Sequence, residues 1–153
     1  MMGVCYRYVR NRSDAEDVLQ EGFIKVFQNM DQFRLEGSLE GWIRKIMVRT
    51  AINFLNKNKD LWLDIEPERM GEIPAVDTNE DDFHKNEMMR MLNSMPDGYK
   101  AIINLFAIEG YSHKEIGKML GIAESTSRSQ YARAKEMLIK ISGRQAGVHT
   151  LDK

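Results

Sequence analysis

The residues of this chain best suited to do chemistry are Arg128, Ser129, Ala132, Arg133, Lys135 and Lys140. Cations, a hydroxyl and a small methyl recur at helical spacing over residues 125–141. That set of groups holds phosphates and reads base edges in a DNA groove. The residues ahead of it supply a mounting. Tyr111-Ser112-His113-Lys114-Glu115-Ile116-Gly117-Lys118-Met119-Leu120-Gly121-Ile122 contains a Ser112/Glu115 capping box, then a glycine where a left-handed turn residue belongs. Tyr131, Ala134, Leu138 and Ile141 give the second helix an apolar side. Ser129, Arg133 and Lys140 fall almost opposite, with Arg128 and Lys135 on one flank. A helix, a tight turn and a second helix of this kind deliver the second helix to the major groove.

A second stripe lies in the first third of the chain. The periodicity predicts a helix over Leu39–Lys57, with Ile43, Met47, Ala51, Phe54 and Leu55 on its apolar arc. Trp42, Lys45, Arg49, Asn53 and Asn56 align on another side. Such a stripe is either a tryptophan packed beside a solvated charged edge or a surface for nucleic acid, where cations hold phosphates and aromatics meet bases. Before it, Ser13-Asp14-Ala15-Glu16 has capping-box spacing and predicts a helix running to about Met30. Ala15, Leu19, Phe23, Val26 and Met30 are expected on its packed face. Asp14, Asp17, Gln20, Glu21 and Gln28 are expected opposite. Ile24 sits among these polar residues, either as an incidental exposed side chain or as part of a contact patch.

These elements divide into modules. The chain of 153 residues has 42% hydrophobic and 29% charged residues and a pI near 6.3, which average over a strong segregation. Residues 1–59 carry net +3, residues 60–82 net −8 and residues 83–153 net +4. The acidic strip also contains Pro67, Gly71 and Pro74 without sustained helical period, and reads as an extended linker. The expectation is an all-α protein: a helical module over 1–58, an acidic linker over 59–82, a second helical module over 83–142 and a frayed tail over 143–153. Helices in the second module are expected over 82–94, 98–108, 112–120 and 125–141, with Pro96-Asp97-Gly98 and Gly110 as breaks.

Several function classes are disfavoured. No apolar run approaches the roughly 20 residues needed to cross a bilayer, and the first residues lack the apolar core of a signal peptide. Cys5 is the single cysteine, so no internal disulfide forms, and a reducing, cytoplasmic compartment is expected. The three histidines, His84, His113 and His149, have no metal-ligand spacing with each other or with Cys5. No glycine-rich phosphate loop occurs. Neither catalysis nor a metal, cofactor or small-molecule substrate is expected, and His113 is expected to be exposed in the first turn of its helix.

The order of these motifs resembles one family. Asp14-Ala15-Glu16-Asp17-Val18-Leu19-Gln20-Glu21-Gly22-Phe23 is similar to region 2.2 of bacterial RNA polymerase sigma factors of the extracytoplasmic-function type. Phe33-Arg34, Gly41-Trp42-Ile43-Arg44-Lys45-Ile46 and Asn53-Phe54-Leu55 resemble regions 2.3 and 2.4, and residues 111–137 resemble region 4.2. The resemblance implies a subunit that binds core RNA polymerase, directs it to promoter DNA and opens the minus-ten element. It implies that Asp14, Asp17, Gln20, Glu21 and Ile24 dock on the clamp helices of the largest polymerase subunit. Phe33, Arg34, Trp42, Lys45, Arg49 and Asn53 would engage the minus-ten strand. Arg128, Ser129, Ala132, Arg133, Lys135 and Lys140 would read the minus-thirty-five element, and an anti-sigma factor is an expected partner. Relative to the family pattern, the chain is expected to begin within the first helix of its first domain. Ser127 stands on the packed side of the reader, where many members carry valine. The rival expectation is a stand-alone helix-turn-helix regulator with an N-terminal helical sensing domain.

Overall fold

The computed structural model describes residues 1–57 and 87–149, with side chains through residue 143. The chain divides into two compact units, Met1–Lys59 and Asp60–Lys153. Every regular element among the described residues is helical. The expected acidic linker lies outside them. Among the described residues no helix is long and apolar enough to cross a membrane.

In the first unit, α1 (Met2–Tyr6), α2 (Arg12–Gln28) and α3 (Leu39–Lys57) pack together, with a 3₁₀ turn at Met30–Gln32 after α2. Helix α2 starts earlier than the Ser13 motif suggests. Asn11 is its N-cap, its side-chain oxygen accepting the Asp14 N–H at 2.8 Å. Its amide also donates to the Asp14 carboxylate at 2.8 Å. Asparagine caps as well as serine does, and Glu16 instead pairs with Arg12 at 2.7 Å.

The packed face of α2 is likewise displaced. Ala15, Val18, Gly22 and Val26 are buried, whereas Leu19 and Phe23 are half-buried and Met30 is exposed. At about 100° per residue, this turns the helix by about 50° from the expected orientation. The cause is close approach to α3, because a Cβ on Gly22 would collide with the Met47 sulfur. Small residues line the contact and the bulky ones seal its edges. On α3, Met47, Val48, Thr50, Ala51, Ile52 and Leu55 are buried. Each fully buried Met or Ile here contributes about 1.5–3 kcal/mol. Cys5 is buried in the same core, and burial pushes its thiol pKa up.

The second unit contains α4 (Glu87–Asn93), α5 (Asp97–Ile103), a π-helical turn (Asn104–Ile108), α6 (His113–Leu120) and α7 (Glu124–His149). Met91, Leu92, Met95, Tyr99, Ile103, Ala134, Met137 and Ile141 form a core between α4, α5 and α7. Lys100 is buried with its ammonium donating to Asn93 at 2.8 Å. The expected continuous helix over 98–108 changes pitch at its end. The Glu109 N–H donates to Asn104 and the Tyr111 N–H to Leu105, both at 2.9 Å. This widened turn redirects Phe106 toward α6 and α7. Helix α7 continues beyond the expected end at Ile141 to His149. Gly143 and Gly147 each cost about 1 kcal/mol of helix propensity, but no proline interrupts the ladder.

The turn between α6 and α7 follows the sequence motif. Ser112 caps α6 in a reciprocal capping box with Glu115, and Gly121 closes it with φ 69° in the left-handed region. Gly117 matters for a different reason. A Cβ there would lie 2.7 Å from the Ile122 carbonyl oxygen. A glycine lets the turn fold back across α6, and the Ile122 N–H bonds the Gly117 carbonyl at 2.9 Å.

Candidate nucleic-acid and protein interfaces

Helix α7 is held by two packed sides. Ser127, Ala134, Met137 and Ile141 are buried, while Tyr131 and Leu138, expected on the packed face with Ala134 and Ile141, are half-buried. The buried centre is therefore shifted toward Met137. The outward face is shifted with it, toward Arg128 and Ala132. Arg133 moves from the expected outermost position to a flank, within hydrogen-bonding reach of the Tyr99 hydroxyl on α5. Burial raises the Tyr99 pKa above its ordinary value, partly offset by that guanidinium.

All six candidate reader residues are exposed, but they form no single patch. Arg128, Ser129, Ala132 and Arg133 cluster in the first turns of α7. Arg128 pairs with Glu124, both largely exposed. Such a pair is worth about 0.3–0.5 kcal/mol and yields readily to a phosphate. The Ser129 hydroxyl donates to the Thr126 carbonyl at 3.0 Å. Lys135 turns to the other flank, its ammonium 5.1 Å from the centre of the Tyr131 ring. Lys140 lies roughly 18 Å along the axis from Arg128 at 1.5 Å per residue, too distant for the same base step.

In the first unit, the loop after the 3₁₀ turn folds onto α3. Phe33 and Trp42 meet with ring centroids 5.5 Å apart, tilted at 45°. Both rings are half-buried, so Trp42 is at once packed and accessible. Lys45, Arg49 and Asn53 continue the stripe along α3, all exposed, as is Arg34 in the loop. Among the described residues neither Lys45 nor Arg49 is held in an ion pair. Leu35, which belongs to neither expected stripe, is 86% exposed in this loop and has φ 55°. Its exposure was legible only as an apolar residue between two charges, Arg34 and Glu36.

The rotation of α2 reorganises its outer face. Asp17, Gln20 and Ile24 are exposed at its centre. Asp14 and Glu21 move to the half-buried edges. Asp14 is engaged by Asn11, and Glu21 pairs with Lys25 at 2.7 Å. That Lys25 hydrogen bond holds the Glu21 carboxyl below its ordinary pKa. Phe27 joins the face at 75% exposure, one turn beyond Ile24 at 51%. The i, i+3 spacing of Ile24 and Phe27 was the available signal. Among the described residues no group of acidic, His or Cys side chains could hold a metal ion.

His113 departs from expectation. It is half-buried, stacked on Phe106 with centroids 4.4 Å apart, and its Nδ1 lies 3.0 Å from the Ser127 Oγ. Desolvation, with Arg128 nearby, lowers its pKa below the ordinary 6.5.

A capped helix, a glycine turn and an outward-facing basic helix define the helix-turn-helix class of DNA-binding proteins. Comparison with known proteins narrows the class. Residues 1–60 match the Sigma-70 region 2 model and residues 85–138 the Sigma-70 region 4 model. The chain is 33% identical over 148 residues to the ECF RNA polymerase sigma-E factor of Haemophilus influenzae, covering 89% of this chain and 78% of that protein. It is 31% identical over 140 residues to the ECF RNA polymerase sigma factor SigE of Mycolicibacterium smegmatis, covering 88% of this chain. It spans about half, 54%, of that relative's length. The sigma factor RpoE of Bartonella quintana, solved in complex with the anti-sigma factor NepR, has the same fold at TM-score 0.58 and 17% identity, covering 93% of this chain and 89% of that one. The chain belongs to the sigma-70 family of RNA polymerase sigma factors, in its extracytoplasmic-function branch. With both sigma regions matched, the stand-alone regulator is set aside.

Proposed function

We propose that this protein directs core RNA polymerase to a class of promoters and uses binding energy to open them. The carrying observation is the chemical contrast between its units: half-buried aromatics beside exposed cations in one, a capped helix-turn-helix with cations on its exposed side in the other. Separating stacked base pairs costs roughly 1.4 kcal/mol per step. Capturing an unstacked base on an aromatic face returns roughly 1–3 kcal/mol. Trp42, supported by Phe33, is suited to that capture, and the exposed Leu35, two residues after Phe33, to wedging. Lys45, Arg49 and Arg34 supply phosphate attraction, and Asn53 offers both donor and acceptor.

Arg128, Ser129, Ala132 and Arg133 serve in this reading as groove contacts at the minus-thirty-five element, with Lys135 and Lys140 on flanking phosphates. Asp17, Gln20, Ile24 and Phe27 form the centre of the surface for the clamp helices of the largest polymerase subunit, with Asp14 and Glu21 at its rim. An anti-sigma partner is extended to this chain from the complexed Bartonella relative. Its work is assigned to the cytoplasm, where polymerase and promoters are. The protein acts as an initiation factor and not as an enzyme.

The test is run-off transcription with core polymerase on a genomic fragment library. Selective initiation at a shared promoter motif is expected. Binding to DNA without retention of core polymerase would sink the proposal and restore the regulator.

A further inference from the structure

One imidazole joins three elements of the helix-turn-helix unit. His113, in the first turn of α6, stacks on Phe106 from the π-helical turn at 4.4 Å and 12°. It meets Tyr131 of α7 at 5.7 Å, and Phe106 and Tyr131 themselves meet at 4.5 Å. Its Nδ1 lies 3.0 Å from the Oγ of Ser127, which is wholly buried. A buried hydroxyl without a partner is unfavourable, so this bond favours one arrangement of α6 against α7. The aromatic stack sets the spacing of the helices, and the directional bond sets the roll of α7 about its axis. Ser127 immediately precedes Arg128 and Ser129, so a roll at Ser127 is carried straight into the outward face.

We propose that His113 is a positioning residue for DNA reading, its bond to Ser127 setting the roll of α7 and hence which base edges Arg128, Ser129 and Arg133 meet. The inference rests on α7 being the promoter reader. The neutral ring is the form this site accommodates. From α7, Arg128 opposes a charge on His113 and Glu124 favours it, and those two are paired with each other. Lys135, also on α7, lies over Tyr131. The π-helical turn Asn104–Ile108 contains no charged residue. Lys114 and Glu115 follow on α6, Glu115 being engaged in the cap. With its folded pKa lowered from 6.5, His113 contributes stability that is complete above that value and is lost as pH falls through the lowered one. A neutral Nδ1 can accept a hydrogen bond from the Ser127 hydroxyl; the cation can only donate to Oγ, which reverses the bond and leaves the buried hydroxyl proton without this acceptor.

The experiment selects minus-thirty-five sequences from a randomised duplex library with holoenzyme, at about pH 7.5 and about pH 5.5, bracketing an ordinary histidine. His113→Phe retains a ring without the bond, and His113→Asn retains bonding capacity without the ring. Ser127→Ala removes the hydroxyl with the least change in volume and keeps the test open if the others misfold. The expected result is about tenfold loss of discrimination in His113→Phe and in Ser127→Ala, as for an unpaired buried partner. The double variant should be no worse than either single one, and His113→Asn should recover part of the loss. Wild-type discrimination should decline at the lower pH, while His113→Phe stays flat. If the wild type selects no motif, the reader assignment and this inference both fall. If it selects one and the variants select the same motif equally well at both pH values, the role of His113 alone is overturned.

Discussion

The two units use aromatic side chains in opposite ways. In the first, Trp42 and Phe33 are half-open, and Phe27 and Leu35 project at 75% and 86% exposure. In the second, Phe106, His113 and Tyr131 are equally half-buried but are committed to one another in a stack, and the exposed side of α7 is mostly polar, with Ile139 its one exposed large apolar side chain among the described residues. Duplex DNA presents hydrogen-bonding edges and phosphates, so its reader benefits from stiffness and polar tips. A melted strand and a protein partner present apolar faces, so their receptor keeps apolar surface in reserve. Under the proposed function, the exposed apolar groups of the first unit serve as binding surface and the stacked aromatics of the second as scaffold.

Breaking the reserve should have the larger effects. Phe27→Asp is expected to weaken binding to core polymerase by at least about thirtyfold, the scale of an apolar hot spot, with helicity unchanged. Retained affinity in a pull-down or titration would remove Phe27 from the interface. Trp42→Ala should slow strand opening by about tenfold or more through loss of base stacking, with closed-complex formation spared. Permanganate reactivity of the opened bases measures this, and a collapsed unfolding midpoint would instead make Trp42 a packing residue.

Changes on the reader side should be smaller and more selective. Arg133→Ala is expected to cost about 1–3 kcal/mol at the minus-thirty-five element and to relax preference there. Equal losses on every sequence would reduce it to a phosphate contact. Its reach to Tyr99 makes a second check available, because the Tyr99 phenol should then titrate higher. Asn11→Ala should lower the stability of the first unit by about 1 kcal/mol, whereas Ser13→Ala should have little effect; thermal melts separate the two capping schemes. The smallest effect concerns Glu21. Its pKa is lowered from 4.5 by Lys25, so the pair stabilises α2 above about pH 4.5 and fades as pH falls through the lowered value. Comparing Glu21→Gln with the wild type across that window reads the difference.

Local chemistry made much of this molecule legible before any fold was known. The span of α3, the Ser112/Glu115 box and the Gly121 turn depend on neighbours within a few residues, and so do the cationic stripes. The charge segregation that separates a middle strip from its flanks is a property of composition alone. Periodicity also assigned most of the candidate interface residues to the helices that carry them, α2, α3 and α7. It did not fix how far each helix is turned. That depended on Gly22 admitting Met47, and on Met137 and Ser127 being drawn into the second core. The same packing brought Phe27 to the centre of a face and moved Arg133 to a flank. The π-helical turn and the burial of His113 arise from contacts between residues far apart in the chain. A helix's existence is written in its own residues, whereas its rotation is decided by which neighbour approaches most closely.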